Sequence, residues 1–194
     1  MVNTERMQGI QIDPILRTAR VETGVRWRSV IAAAEPHGLA PLSGSTGDVG
    51  VVGYTLSGGL GWLLRKYGAA VDSVLSAEVV TADGQLRHVS PQHNTDLCWA
   101  LCGGGGNFDI LIALEFRLYP VSSVYGGALF FPIESAAEVL HAYSAWTATV
   151  PETMTSAVVL LRVLPLPMGP CLISQARRPS SRLWWLRFAT MVER

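Results

Sequence analysis

The sequence predicts an α+β fold with antiparallel pairing. Three observations carry that prediction. Strand and helix signals alternate without the regular βαβ rhythm of a parallel sheet. Two tight-turn signals, Asp13-Pro14 and Asp83-Gly84, each sit between short β-prone runs. Hydrophobic residues make up 49 % of the 194 residues and charged residues 15 %, which suits a packed core rather than a disordered chain.

Residues 9–22, GIQIDPILRTARVE, read as two short strands around the Asp13-Pro14 turn. Trp27 to Glu35 reads as a helix ended by Pro36 and Gly38. Residues 47–61, GDVGVVGYTLSGGLG, hold six glycines in fifteen positions and read as a turn-rich loop. Trp62 to Tyr67 reads as a short helix closed by Gly68. Val74 to Ala82 and Gln85 to Ser90 read as a hairpin. Asn94 or Thr95 caps a helix through Leu101, the glycine run Gly103 to Gly106 ends it, and Ile110 to Tyr119 reads as a strand. Beyond Pro120, Gly126 to Phe131 and Thr155 to Leu164 read as strands. Between them, Ser135 to Thr149 reads as an amphipathic helix with Val139, Leu140, Tyr143 and Trp146 on one stripe. The remaining tail shows no clean period. From Pro165 onward it holds five arginines against one glutamate.

The formal net charge is zero, so no overall field draws the chain to nucleic acid or to a membrane. No apolar window is long enough for a membrane-spanning helix, and the N-terminus lacks the apolar core of a signal peptide. The expected location is the cytoplasm. Three cysteines, Cys98, Cys102 and Cys171, cannot form a fully paired disulfide framework. Cys98 and Cys102 share a helix face, as a metal half-site or as two small buried residues. His37, His88, His93 and His141 show no metal spacing, and no metal is expected.

Glycine admits positive φ and lets a ligand reach the backbone, and N–H groups exposed in such turns hold phosphate oxygens. The Walker loop fails because Trp62 follows Gly61. The Rossmann fingerprint fails because the third glycine is missing after Gly59 and Gly61. The alternative is a loop packed tightly on itself. No nucleophile elbow or acid/base pair is evident, which suits a protein whose cofactor does the chemistry.

Three segments, in order, resemble one family. They are RTARVETGVRWRSVIAAAEPHGLAPLSG, then GDVGVVGYTLSGGLGWLLRKYGAAVDSVLSAEVVTADG, then NTDLCWALCGGGGNFDILIALEFRLYPV. The last matches the pattern D-L-F-W-A-L-R-G-G-G-G-N-F-G. Together they resemble the p-cresol methylhydroxylase-type FAD-linked oxidases of the vanillyl-alcohol oxidase superfamily, in the berberine-bridge-enzyme-like branch. The resemblance implies the second half of an FAD-binding domain over residues 1–121, the beginning of an α+β substrate domain over 122–165, and a divergent, disordered tail over 166–194. A reading-frame change would account for that tail. It also implies that the N-terminal phosphate-binding half and the end of the substrate domain, with its catalytic base, are absent.

By matching position, FAD would be lined by Thr46, Gly47, Val49, Gly50, Gly53, Ser57, Gly58, Gly61 and Val80, with Gly103 to Gly106 as a turn beneath it. Thr46 stands where relatives carry a flavin-linking cysteine. Ser57, Ser73, Cys102 and Asp109 replace the family's glycine, asparagine, arginine and glycine. The implied function is hydride transfer from a small alcohol or sugar-like substrate to flavin, with reoxidation by oxygen. The other reading is a non-catalytic remnant or interaction module that keeps the glycine-loop fold. The expected partners are a small-molecule substrate and either a second copy or a separately encoded N-terminal half, with no nucleic acid and no membrane.

Overall fold

The turn residues set the strand order. In the computed structural model, which describes residues 2–163 and 183–193, β1 (Ile10–Asp13) and β2 (Thr18–Glu22) flank the Asp13-Pro14 turn and pair antiparallel. The Asp13 carboxylate accepts the N–H groups of Ile15 (2.9 Å) and Leu16 (2.8 Å), which closes that turn. Along β2 the burial alternates, with Ala19 and Val21 inward. β3 (Val74–Thr81) and β4 (Leu86–Val89) form the hairpin around Asp83-Gly84, with Gly84 at φ 76°. β5 (Asp109–Arg117) pairs with both β2 and β3, again antiparallel. The resulting five-stranded sheet runs β1-β2-β5-β3-β4. The α+β fold class expected from the sequence is the one observed.

Helices cover one face of this sheet. α1 (Trp27–Ala34) turns inward Trp27, Val30 and Ala34, and it ends in a 3-10 turn before Gly38 at φ 65°. α2 (Val51–Leu56) lies within the glycine-rich stretch, where the sequence suggested only a loop. Burial explains the difference: Val51, Val52, Thr55 and Leu56 all pack into the core, which outweighs the poor helix propensity of valine and glycine. α3 (Leu64–Tyr67) is one turn closed by Gly68 at φ 87°. α4 (Thr95–Gly104) loses helical geometry at Cys102 and Gly103.

The core gathers Trp27, Val30, Val51 and Leu56 from the helices with Val21, Val79, Leu114 and Phe116 from the strands. Trp27 sits at its centre, edge-on to Tyr54 and to Phe116 with both ring centroids at 5.7 Å. Such edge contacts add about 0.5–1.5 kcal/mol each beyond burial.

The chain divides into two compact units, Met1–Val124 with Glu193–Arg194, and Tyr125–Val192. The second holds a three-stranded sheet in the order β6-β8-β7, from β6 (Val124–Pro132), β7 (Met154–Val163) and β8 (Leu183–Glu193). It also holds α5 (Ala136–Thr147). On α5, Tyr143 and Trp146 from the expected stripe touch at 5.8 Å, and the Tyr143 hydroxyl meets Ser156 Oγ at 2.9 Å. Leu140 and Trp146 stay 40 % and 38 % exposed, so the stripe is half-covered rather than buried.

The tail differs from the expectation of disorder over 166–194. Its residues Leu183–Glu193 pair antiparallel with β7 in unbroken register from Met154↔Val192 to Val163↔Leu183. A strand with a neighbour on each side, in the order β6-β8-β7, is held by ladder bonds rather than by an alternating pattern of its own. The part of the tail before Leu183 lies outside the described residues from Leu164 on.

Candidate functional site

The glycine-rich segment is stitched to the start of α1 by main-chain bonds. Arg28 N–H donates to Gly47 O (2.9 Å), Trp27 N–H to Val49 O (3.1 Å) and Val51 N–H to Val25 O (3.0 Å). Arg28 and Asp48 form an ion pair over this seam. On the other side of α2, Val71 N–H donates to Gly58 O (3.0 Å) and Ala70 N–H to Gly59 O (2.9 Å). Both ends of the segment are therefore fixed to the core. Between them Thr46, Val49, Gly50, Gly53 and Ser57 remain exposed, and Gly47, Gly58 and Gly61 are half-buried. The structure brings these eight expected residues together in one segment.

Val80 does not join them by the same route. Ala77 and Val79 of β3 face the core that carries α1 and α2. Val80 alternates with them and lies on the opposite face of the strand with Glu78, its Cα partners being Leu86 and Ile110. That face is polar further along: Arg20 meets Glu78 at 2.7 Å and Ser76 donates to Glu115 at 2.8 Å.

The glycines sort by what a side chain would meet. Gly58 and Gly59 have φ of 104° and 71°, so the backbone itself demands glycine. Gly61 has no room: a Cβ would lie 2.3 Å from the Ser43 carbonyl oxygen. Gly44 and Gly59 press on the Tyr54 ring, with Cβ positions 3.0 and 2.7 Å from it. Here the self-packing alternative holds. It does not hold for Gly50 and Gly53, where a Cβ would meet nothing within 4 Å and φ is not positive. Gly53 also stands inside α2, where glycine is about 1 kcal/mol worse than alanine.

Tyr54 was not singled out in the sequence, yet it organises the loop. Its hydroxyl is buried without a hydrogen-bond partner, and burial pushes its pKa up. Asp109 is the second such group. Both carboxylate oxygens are buried and unpartnered, and loss of hydration pushes its pKa up. The sequence signal was present for Asp109, which stands in place of a glycine in the N-F-G pattern; Tyr54 gave none beyond its glycine neighbours. The turn after α4 bends at Gly103 (φ 114°) and Gly105 (φ 59°), with Gly104 against the Phe108 ring.

Comparison with known proteins decides what this segment belongs to. Residues 1–90 match the family described as an FAD binding domain. An FAD-linked oxidoreductase of Dictyostelium discoideum is 30 % identical over 160 residues, covering 81 % of this chain and 35 % of the relative. The chain is related to the FAD-linked oxidoreductases. Among solved structures, the chain superposes on xylooligosaccharide oxidase from Myceliophthora thermophila with a TM-score of 0.78 and 27 % identity, over 98 % of its own length and 37 % of that chain. It superposes equally on berberine bridge enzyme from Eschscholzia californica, with a TM-score of 0.78, 25 % identity, and 98 % and 36 % coverage. The chain spans about a third of the length of the relatives it matches.

Proposed function

We propose that this chain supplies one wall of an FAD site in an oxidoreductase that removes hydride from a small alcohol or sugar-like substrate. The observation that carries the reading is the pair Gly50 and Gly53. Neither dihedral strain nor packing among the described residues calls for glycine there, and both are exposed. A flat ring or a pyrophosphate brought against bare main chain is the requirement that remains. The residues present fit FAD in this sense: Thr46 to Gly61 offer a partly exposed stretch of main chain that itself carries no cationic side chain, with Arg26 bridged to Gly50 and Arg28 paired with Asp48 at its edge. When bound, FAD accepts the hydride and passes the electrons on, with oxygen as the proposed acceptor. Thr46 has no thiol, so the cofactor is held here without a bond to this position. The sugar-like substrate class rests on relatives such as the oxidase solved with xylobiose.

A second reading, a non-catalytic interaction module, is favoured by one observation. Trp99 is 82 % exposed, Leu60 74 % and Phe108 48 %. Apolar surface of that kind marks an interaction face. The two readings meet if polypeptide outside these residues, or a second copy, covers that surface and supplies the other wall.

Titration of the purified chain with FAD, followed by flavin fluorescence, tests the proposal. Most small-molecule sites enclose about 70–90 % of the ligand. A single wall should therefore bind, but with a Kd above about 1 µM, since each 1.4 kcal/mol of lost contact is about tenfold. Saturable binding supports the first reading. Its complete absence leaves the interaction module.

A further inference from the structure

Cys98 and Cys102 stand four residues apart in α4, and both are free thiols. Cys98 packs against the core, whereas Cys102 is the residue at which the helix gives way, with φ −74° and ψ 83°. We propose that Cys98 and Cys102 are a dithiol pair that closes reversibly to a disulfide and, in closing, shifts the glycine turn Gly103 to Gly106.

Geometry makes the pair a switch rather than a staple. Residues four apart on a helix hold their Cβ atoms about 5–6 Å apart, and a disulfide needs about 3.5–4.5 Å. Closure must therefore draw the two residues together by about 1–2 Å. Mid-helix, the hydrogen-bond ladder would resist. Here the ladder ends with Gly105 N–H on Leu101 O, and the next residues are glycines with φ of 114° and 59° at Gly103 and Gly105. The anchored partner is Cys98, so the movement passes into the turn. A strained bridge across so short a ring is easily reduced again.

The turn is not isolated from the glycine loop. Asp72 lies close enough to Cys102 to push its thiol pKa up, after burial and Cys98 have done the same. Its carboxylate accepts the Ala69 N–H at 2.8 Å, in the turn whose Ala70 and Val71 N–H groups hold Gly59 and Gly58. Burial likewise raises Cys98. Both thiols are thus protonated at neutral pH, and closure speeds up as pH rises.

The oxidant is a low-molecular-weight disulfide. One thiolate attacks a sulfur of that disulfide and releases a thiol. The second thiolate then displaces the other half as a second thiol, so the protein loses two protons and two electrons, which the oxidant gains.

The test uses the full chain carrying Cys171→Ser, incubated with oxidised glutathione at pH 8. The expected result is a fall from two titratable thiols to zero, a mass lower by two hydrogens, a Cys98–Cys102 cross-linked peptide and a monomer on a non-reducing gel. Amide exchange at Gly103 to Gly106 should change at least threefold on closure. Cys102→Ser in the same background should instead carry one glutathione on Cys98. Retained thiols, two separate glutathione adducts or an intermolecular dimer would overturn the pairing. A closed bridge with unchanged exchange in the turn would overturn its transmission to the glycines.

Discussion

Gly61→Ala should destabilise the first unit, and the size of the effect follows from one contact. An added Cβ would lie 2.3 Å from the Ser43 carbonyl oxygen, with the Ser43 carbonyl carbon at 3.2 Å. An ordinary carbon–oxygen contact is about 3.2–3.5 Å, so roughly 1 Å must be made up. The obstructing atom is backbone and cannot rotate away. Either the Ser43 strand of the loop or the Gly61 turn must move, and the Tyr54 hydroxyl, 3.4 Å from the same Cβ, closes the other exit. Forced insertion into a packed region costs about 1–3 kcal/mol. For a unit of this size 1 kcal/mol shifts Tm by about 4 °C, so a drop of about 4–12 °C is expected. Thermal unfolding followed by near-UV circular dichroism reads it, because Trp27 and Tyr54 report on this corner. A Tm unchanged within 1 °C would show that the loop is loose at Gly61, and the argument from glycine packing would fail with it.

Asp109→Asn tests the buried carboxyl. Its folded pKa lies above the unfolded value. The folded state therefore binds the extra proton, and stability falls as pH rises from the unfolded pKa through the folded one. Urea unfolding should find the Asn variant more stable than the parent at pH 7 and the two alike near pH 3; a stability difference between variant and parent that does not grow over that range contradicts this. Asp83, lowered to about 2 first by the Thr81 hydroxyl and then by Arg87, should titrate nearer the ordinary carboxylate range in Thr81→Val, as followed by carboxyl NMR; no change would discount the 2.5 Å hydrogen bond. Deleting residues 183–193 removes the middle strand of the second sheet. Calorimetry should then lose one transition and keep that of the first unit, whereas an unaltered trace would show that β8 contributes nothing.

How much of this was legible in the sequence depended on whether a feature was local. Asp13-Pro14, Asp83-Gly84, Gly38 and Gly68 fixed turns and helix ends because each residue type decides its own backbone geometry. α2 was not legible, because its stability comes from burying Val51, Val52, Thr55 and Leu56 in a core built by distant strands. β8 was hidden for a similar reason: its register is set by β7 rather than by an alternation of its own. At the candidate site the glycine spacing marked the loop, but the eight positions from Thr46 to Gly61 came from the family resemblance. Their separate causes were not legible. Positive φ at Gly58, a carbonyl against Gly61 and open space at Gly53 look identical as letters. Val80 was placed by resemblance, and only the pleat of β3 shows that it stands on the opposite face from the loop's core.

Gly53→Ala is the most direct test of the claim that the loop's bare main chain exists for a ligand. The substitution meets nothing within 4 Å, sits at a non-positive φ and lies inside α2. Without ligand it should stabilise the chain by about 0.5–1 kcal/mol. Measured side by side, urea unfolding and FAD titration should move in opposite directions, with higher stability and at least tenfold weaker FAD binding. A variant that is more stable and binds FAD as well as the parent would contradict the account.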